Sequence, residues 1–330
     1  MRLDVVSVIY KIKNNYFMNE NDKKQQEEYL SKFLIDTKDE IKEIKTTIKT
    51  MSQGSSLEYL SVDLNLLPLG EFYQDGLKIK IRAAKVHEVQ AYSVVDDKNF
   101  LDVTEKMNQL LSSCVKVTLP NGNNGSYKDI KDGDRLSIIF MIRELTFQKG
   151  ASLAKEVTCP HCNWEFSIPF RSTSNGEYPR TFEKHEMPEN IKKFFNKELK
   201  CFEFNINGVV YRLAPPNIGI QEIFYGDIKT KVQSQKNPNV SFLKIIPFML
   251  WDRTSITEDG IKAKEDEFKR MDMYTFQVIN KAVDNMVFGL KGIKMNCPEC
   301  QGEVHSDMTF PNGASSLFVI SDPFDDFIKK

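Results

Sequence analysis

Two short motifs carry the chemistry in this sequence: Cys159-Pro-His-Cys162 and Cys297-Pro-Glu-Cys300. A Cys-x-x-Cys turn presents two sulfurs from one tight loop, and two such turns supply the four thiolates of a closed tetrahedral zinc site. We therefore expect one structural zinc per chain, bound by Cys159, Cys162, Cys297 and Cys300. Four cysteine ligands leave no open position for a water or substrate, so this is a structural and not a catalytic site. Cys-Pro-His-Cys also occurs as a redox dithiol, but that chemistry needs a helix starting at the first cysteine. Here NWEFSIPF (163–170) follows, and it alternates like a strand. Glu165 and Glu303 stand six residues after the first cysteine of each pair, in what read as matching return strands. Cys114 and Cys201 have no neighbour in sequence and read as buried thiols.

Other chemistry is sparse. His161 reads as a spacer between ligands, and His87, His185 and His305 are too scattered to suggest a triad. There is no Gly-rich phosphate loop, no H-E-x-x-H and no G-x-S-x-G. The expectation is that the protein is not an enzyme.

The long gap between the cysteine pairs is explained if each belongs to one unit of a diverged repeat. GLKIKIRAAKVHEVQAY (76–92) and GVVYRLAPPNIGIQEIF (208–224) each predict a strand leading into a helix. Aligning Arg82 with Arg212 also aligns Ala84 with Ala214, an offset of 130 that becomes 138 at the cysteines. DGDRLSIIFMIRELTF (132–147) is apolar on nearly every side and predicts a buried helix, with Asp132 or Asp134 as its cap. MDMYTFQVINKAVDNMVF (271–288) is its counterpart, with Asp272 as the cap. The predicted fold class is α+β, two diverged repeat units joined by the shared zinc, with an N-terminal helical extension. The expected divisions are 1–56, the extension; 57–170, the first unit; 171–200, a connector; and 201–330, the second unit. A short helix from Pro188 to about Leu199 is expected at the end of the connector.

In the extension, residues 5–13 fit a short strand or helix equally. Residues 25–51 place Leu34, Ile41 and Ile48 in one seven-residue series and Leu30, Thr37, Ile44 and Met51 in another. Such a seam serves a short coiled coil, and hence self-association, as well as an amphipathic helix lying on its own domain.

Composition sets the remaining bounds. The 330 residues carry 45 basic and 46 acidic side chains, and the net charge of −1 gives no long-range pull toward nucleic acid or anionic membrane. No apolar run is long enough for a membrane span, and the opening residues lack a signal-peptide core. A reducing cytoplasm is the expected place of synthesis, which favours metal over disulfides.

LLPLGEFYQDG (66–76) and MIRELTFQKGASLAKEVTCPHC (141–162), with Arg143 and Glu144 in the helical part, form an ordered set of motifs. In this order they resemble the baseplate hub and hub-assembly protein family of T-even-like contractile-tailed bacteriophages. The likeness covers about residues 60–170; the first 60 residues and the second unit lie outside it. It implies a structural or assembly role in the central part of a tail baseplate. The partners would then be other tail and baseplate proteins, and the location the virion, after assembly in the host cytoplasm. The reading set against it is a zinc-ribbon accessory protein binding nucleic acid. That would need clustered Lys and Arg with aromatic side chains, and Lys192-Lys193-Phe194-Phe195-Asn196-Lys197 is the best such stretch. It reads instead as a solvated helix face over two core phenylalanines.

Overall fold

The computed structural model describes residues 58–147, 154–169, 182–234, 240–286, 289–307 and 313–318. The expectations for residues 5–13 and for the seam at 25–51 lie outside these residues, as do 170, the last residue of the first unit, and 171–181 of the connector. All that follows concerns the unit Tyr59–Lys330.

The alternation Lys78-Ile79-Lys80-Ile81 turns two isoleucines inward and two lysines outward, the pattern of a strand with one buried face. After β1 (Leu60–Ser61), this segment is β2 (Lys78–Ile81). It leads into helices α1 (Val86–Ser93) and α2 (Phe100–Cys114), then strands β3 (Val115–Thr118) and β4 (Asn124–Gly125). The four strands make an antiparallel sheet in the order β1-β2-β3-β4. Helix α3 (Arg135–Thr146) packs on its inner face, and its isoleucines, Phe140 and Leu145 are all buried, as the all-round apolar pattern requires.

Next come hairpin β5 (Ala154–Thr158) and β6 (Glu165–Pro169), strand β7 (Phe182–Lys184), a short helix α4 (Glu189–Lys192) and β8 (Phe195–Asn196). The helix expected from Pro188 to Leu199 is thus one turn only. Phe195 leaves it to pair with Phe202, and the Asn196 carboxamide accepts the N–H groups of Glu198 and Leu199, closing a turn. The connector also supplies β7, a strand that the sequence did not predict.

Strands β9 (Cys201–Ile206) and β10 (Val209–Leu213) follow, then α5 (Ile218–Gln233), α6 (Val240–Met249), α7 (Glu258–Lys269) and α8 (Met273–Asp284). Hairpin β11 (Leu290–Asn296) and β12 (Glu303–Ser306) ends the series, and β11 also pairs with β7. Asp272 caps α8, its carboxylate accepting the Thr275 N–H at 2.9 Å. Asp134 does not cap α3. It is buried, and its carboxylate accepts the Leu69 N–H and the Tyr73 hydroxyl, both at 2.9 Å.

The architecture is α+β. Among the described residues, a strand, helices and a cysteine hairpin follow in that order in both parts of the chain, but β3 and β4 interrupt the helices in the first part alone, and the sheets differ. β2 lies inside a four-stranded sheet, while β10 is an edge of the sheet β10-β9-β8.

Two large apolar clusters form the core. One gathers Ile79, Val117, Leu111 and α3 with Ile168, Ile293, Val304, Leu317 and Phe318. The other gathers Phe202, Leu213, Ile245, Ile279 and Val283. The segment 66–76 belongs to both, since Leu67 and Tyr73 enter the first cluster and Leu69 and Phe72 the second. Gly70 sits at the crossing, where any Cβ would collide with the Leu64 carbonyl. The Leu-Pro-Leu-Gly…Tyr motif is therefore a brace between two cores.

Candidate metal centre

Each cysteine pair sits at the tip of a two-stranded hairpin, and the two hairpins share one register. Thr158 pairs with Glu165 as Asn296 pairs with Glu303, both shifted by the offset of the cysteines. The Cys159 N–H donates to the Trp164 carbonyl and the Cys297 N–H to that of Gly302, each at 2.8 Å. Inside each loop the Asn163 and Gln301 N–H groups return to the carbonyls of Cys159 and Cys297, each at 2.9 Å. Asn163 and Gln301 both have φ of 59°, the left-handed turn that brings the second sulfur round beside the first. Glu165 and Glu303 begin the return strands, as the sequence predicted.

The four sulfurs lie within 4.8 Å of one another. Two contacts cross between hairpins: Cys159 Sγ to Cys300 Sγ, and Cys162 Sγ to Cys297 Sγ, each at 3.6 Å. A tetrahedron with metal–sulfur bonds of about 2.3 Å has edges of about 3.8 Å. The cluster has the size that such an ion requires. Cys159 and Cys297 are buried and Cys162 and Cys300 exposed, so the site opens to solvent on one side.

Thiols this close together cannot all ionise without a cation among them. Desolvation raises the Cys159 thiol, but the N–H groups of His161 and Cys162 outweigh it and hold the group at about 6. At Cys162 the Trp164 N–H lowers the thiol, yet desolvation and the neighbouring sulfurs push it up to about 12. The bare cluster thus divides into proton-holding and proton-losing sulfurs, a conflict that a dication removes.

His161 is exposed, as expected of a spacer, but it also reaches across to the other hairpin. Its Nε2 lies 3.3 Å from the Glu303 carbonyl, and its ring lies over Gly302. A Cβ at position 302 would stand 2.5 Å from the His161 ring and 3.3 Å from Cys300 Sγ. This explains why Gly302 occupies the place that Trp164 fills in the first hairpin.

The redox reading of Cys159-Pro-His-Cys162 lacks its structural support, because strand β6 and no helix follows the second cysteine. Cys114 and Cys201 are buried thiols, as expected, raised by desolvation to about 12 and about 11. Cys114 donates to Glu88 at 3.5 Å. Glu88 in turn takes Arg82 in a two-point ion pair at 2.7 and 2.9 Å, which holds its carboxyl down at about 2.

Sequence reasoning missed a second polar cluster, at the junction of the two parts. Lys131 is buried, and its ammonium donates to the carbonyls of Pro215 and Trp251 at 3.0 and 3.2 Å. Its own N–H donates to the Tyr73 hydroxyl, which donates to Asp134. Backbone bonds from Asp132 to Pro216 and from Ile218 to Ile130 complete the seam. Desolvation lowers Lys131 to about 7. Among the described residues, no helix is long and apolar enough to cross a membrane.

Comparison of the chain with family models, with curated proteins and with solved structures finds no match.

Proposed function

We propose that the protein is a non-enzymatic structural or assembly component of a contractile phage-tail baseplate, built around one structural zinc. The sulfur cluster carries the metal part of this reading. Cys159, Cys162, Cys297 and Cys300 would hold the ion, whose chemical contribution is to neutralise four thiolates and so join two hairpins far apart in sequence. Zinc suits an all-thiolate tetrahedral set better than the hard cations, which take oxygen ligands.

The baseplate part rests on the resemblance over residues 60–170. Its motifs fall on structurally demanding positions: residues 66–76 brace two cores, and Arg143 is buried with its Nε 2.6 Å from the Leu317 carbonyl. We also read residues 76–170 and 208–310 as descendants of one unit. The common hairpin register and the matched loop hydrogen bonds support this.

Two measurements test the proposal. Elemental analysis of protein purified without added metal should find one zinc per chain, lost in Cys297→Ser; metal-free, fully folded protein would end the zinc reading. Disabling the gene in the phage that encodes the chain should yield tails without complete baseplates by electron microscopy. Normal baseplates would end the assembly reading.

A further inference from the structure

The outer face of the four-stranded sheet presents three lysines to which the described residues offer no carboxylate. Lys78 and Lys80 stand on the exposed side of β2, and Lys116 stands on that of β3. Lys80 and Lys116 are direct cross-strand partners, and Ser61 of β1 completes their row. Like charges placed opposite each other destabilise a sheet. None of the three ammonium groups has a carboxylate within ion-pair distance among the described residues. Asp63 follows Val62, which bonds to Ile79, but its carboxylate turns away to accept the Asn65 N–H at 3.0 Å. Arg82, next along the same side of β2, is already neutralised by Glu88.

Charged lysines often protect the edge strands of a sheet from pairing with other chains. That does not account for these, because β2 and β3 are the two interior strands. We propose that this sheet face docks an acidic, extended polypeptide segment of a partner protein.

Charge and spacing both favour that occupant. Lys78 and Lys80 are two residues apart on one strand, so their stems repeat at about 7 Å. An extended chain with acidic residues at alternate positions repeats at the same interval on one side. A nucleic acid strand would also need open aromatic faces for its bases. Among the described residues, the ring that the array meets is that of Tyr59, half-buried and covered by the Lys116 ammonium 4.2 Å from its centroid. An acidic peptide needs no such face.

The test uses the full zinc-loaded chain and two fluorescent probes: a short peptide of alternating Glu and Ser, and an oligothymidylate of equal charge. The peptide should bind the native chain at low ionic strength and bind more weakly at about 0.15 M salt. In the triple variant Lys78→Gln, Lys80→Gln, Lys116→Gln, affinity should fall roughly tenfold or more. Unchanged zinc content and melting temperature would show that the variant is folded, as exposed positions predict. Equal affinity in the variant, no peptide binding by the native chain, or tighter binding of the oligothymidylate would each overturn the proposal. The baseplate reading is tested separately, so its failure and this one can be told apart.

Discussion

The two cysteine hairpins agree residue by residue, whereas the helices that precede them do not. Helix α3 is buried on nearly every side, while α8 buries one face and leaves Met273 and Tyr274 in solvent. The acid at the start of α8 is an ordinary cap; the one at the start of α3 is a buried acceptor for two distant groups. The difference follows from what each part must do. Four sulfurs sharing one ion, as proposed, would tolerate errors of only tenths of an ångström, and both loops have the same conformation. A supporting helix needs only to deliver its strand, and its surroundings can diverge.

The largest effect should come from the shared ion. Chelation, or serine at either Cys159 or Cys297, should cost several kcal/mol of stability, since structural zinc binding counts directly as folding energy. If one ion serves both hairpins, as proposed, the two substitutions should cost the same in thermal melts. A large inequality would break the symmetry of the site.

The two acids should differ next. Asp134→Ala leaves the Leu69 N–H and the Tyr73 hydroxyl without their acceptor in the interior, and should cost about 3 kcal/mol in denaturant titrations. Asp272→Ala removes one exposed cap and should cost clearly less. Equal losses would mean that the buried junction adds nothing beyond a helix cap.

A third test reads Lys131 through pH. Its folded pKa is lowered, from 10.5 to about 7, so between these values the unfolded chain holds more protons and stability rises with pH. Between pH 7 and 8 the contribution should climb by about 1 kcal/mol, the slope steepening as the folded ammonium loses its proton. Higher pH is less clean, because the raised Cys114 and Cys201 thiols then act in the opposite direction. Lys131→Met should remove this slope while leaving any metal-linked slope in place. An unchanged slope would show that Lys131 does not titrate there.

The smallest effect compares the left-handed loop residues. Gln301→Gly should stabilise the chain by up to about 1 kcal/mol, and Asn163→Gly by less, because asparagine tolerates that conformation better than glutamine. Equal gains in melting experiments would show that the two loops carry the same strain.

How much could be read in advance follows from how local each signal is. The cysteine spacing, the alternation in Lys78–Ile81 and the all-round apolar face of 135–146 are complete within a few residues, and all three led to the right elements. The junction was not legible, because Tyr73, Lys131, Asp134 and Pro215 are joined only by the fold and share no period. Asp134 even carried a misleading local signal, since an acid ahead of an apolar helix normally caps it. Strand β7 was hidden for a related reason. Phe182-Glu183-Lys184 borrows its conformation from β11, and nothing in its own polar neighbourhood marks it.

The burial of Leu317 and Phe318 also bears on how the protein is made. Phe318 packs against Tyr92 with ring centroids 4.9 Å apart, and Ser315 donates to Asp97 at 2.8 Å. The first core therefore lacks its last wall until Leu317 and Phe318 have been translated. At ribosomal speeds of about 5–20 residues per second, Tyr92 waits roughly eleven to forty-five seconds for its partner. During that interval the emerging chain carries an open apolar face and unpaired cysteine hairpins, the state in which a chaperone or an early assembly partner would find it.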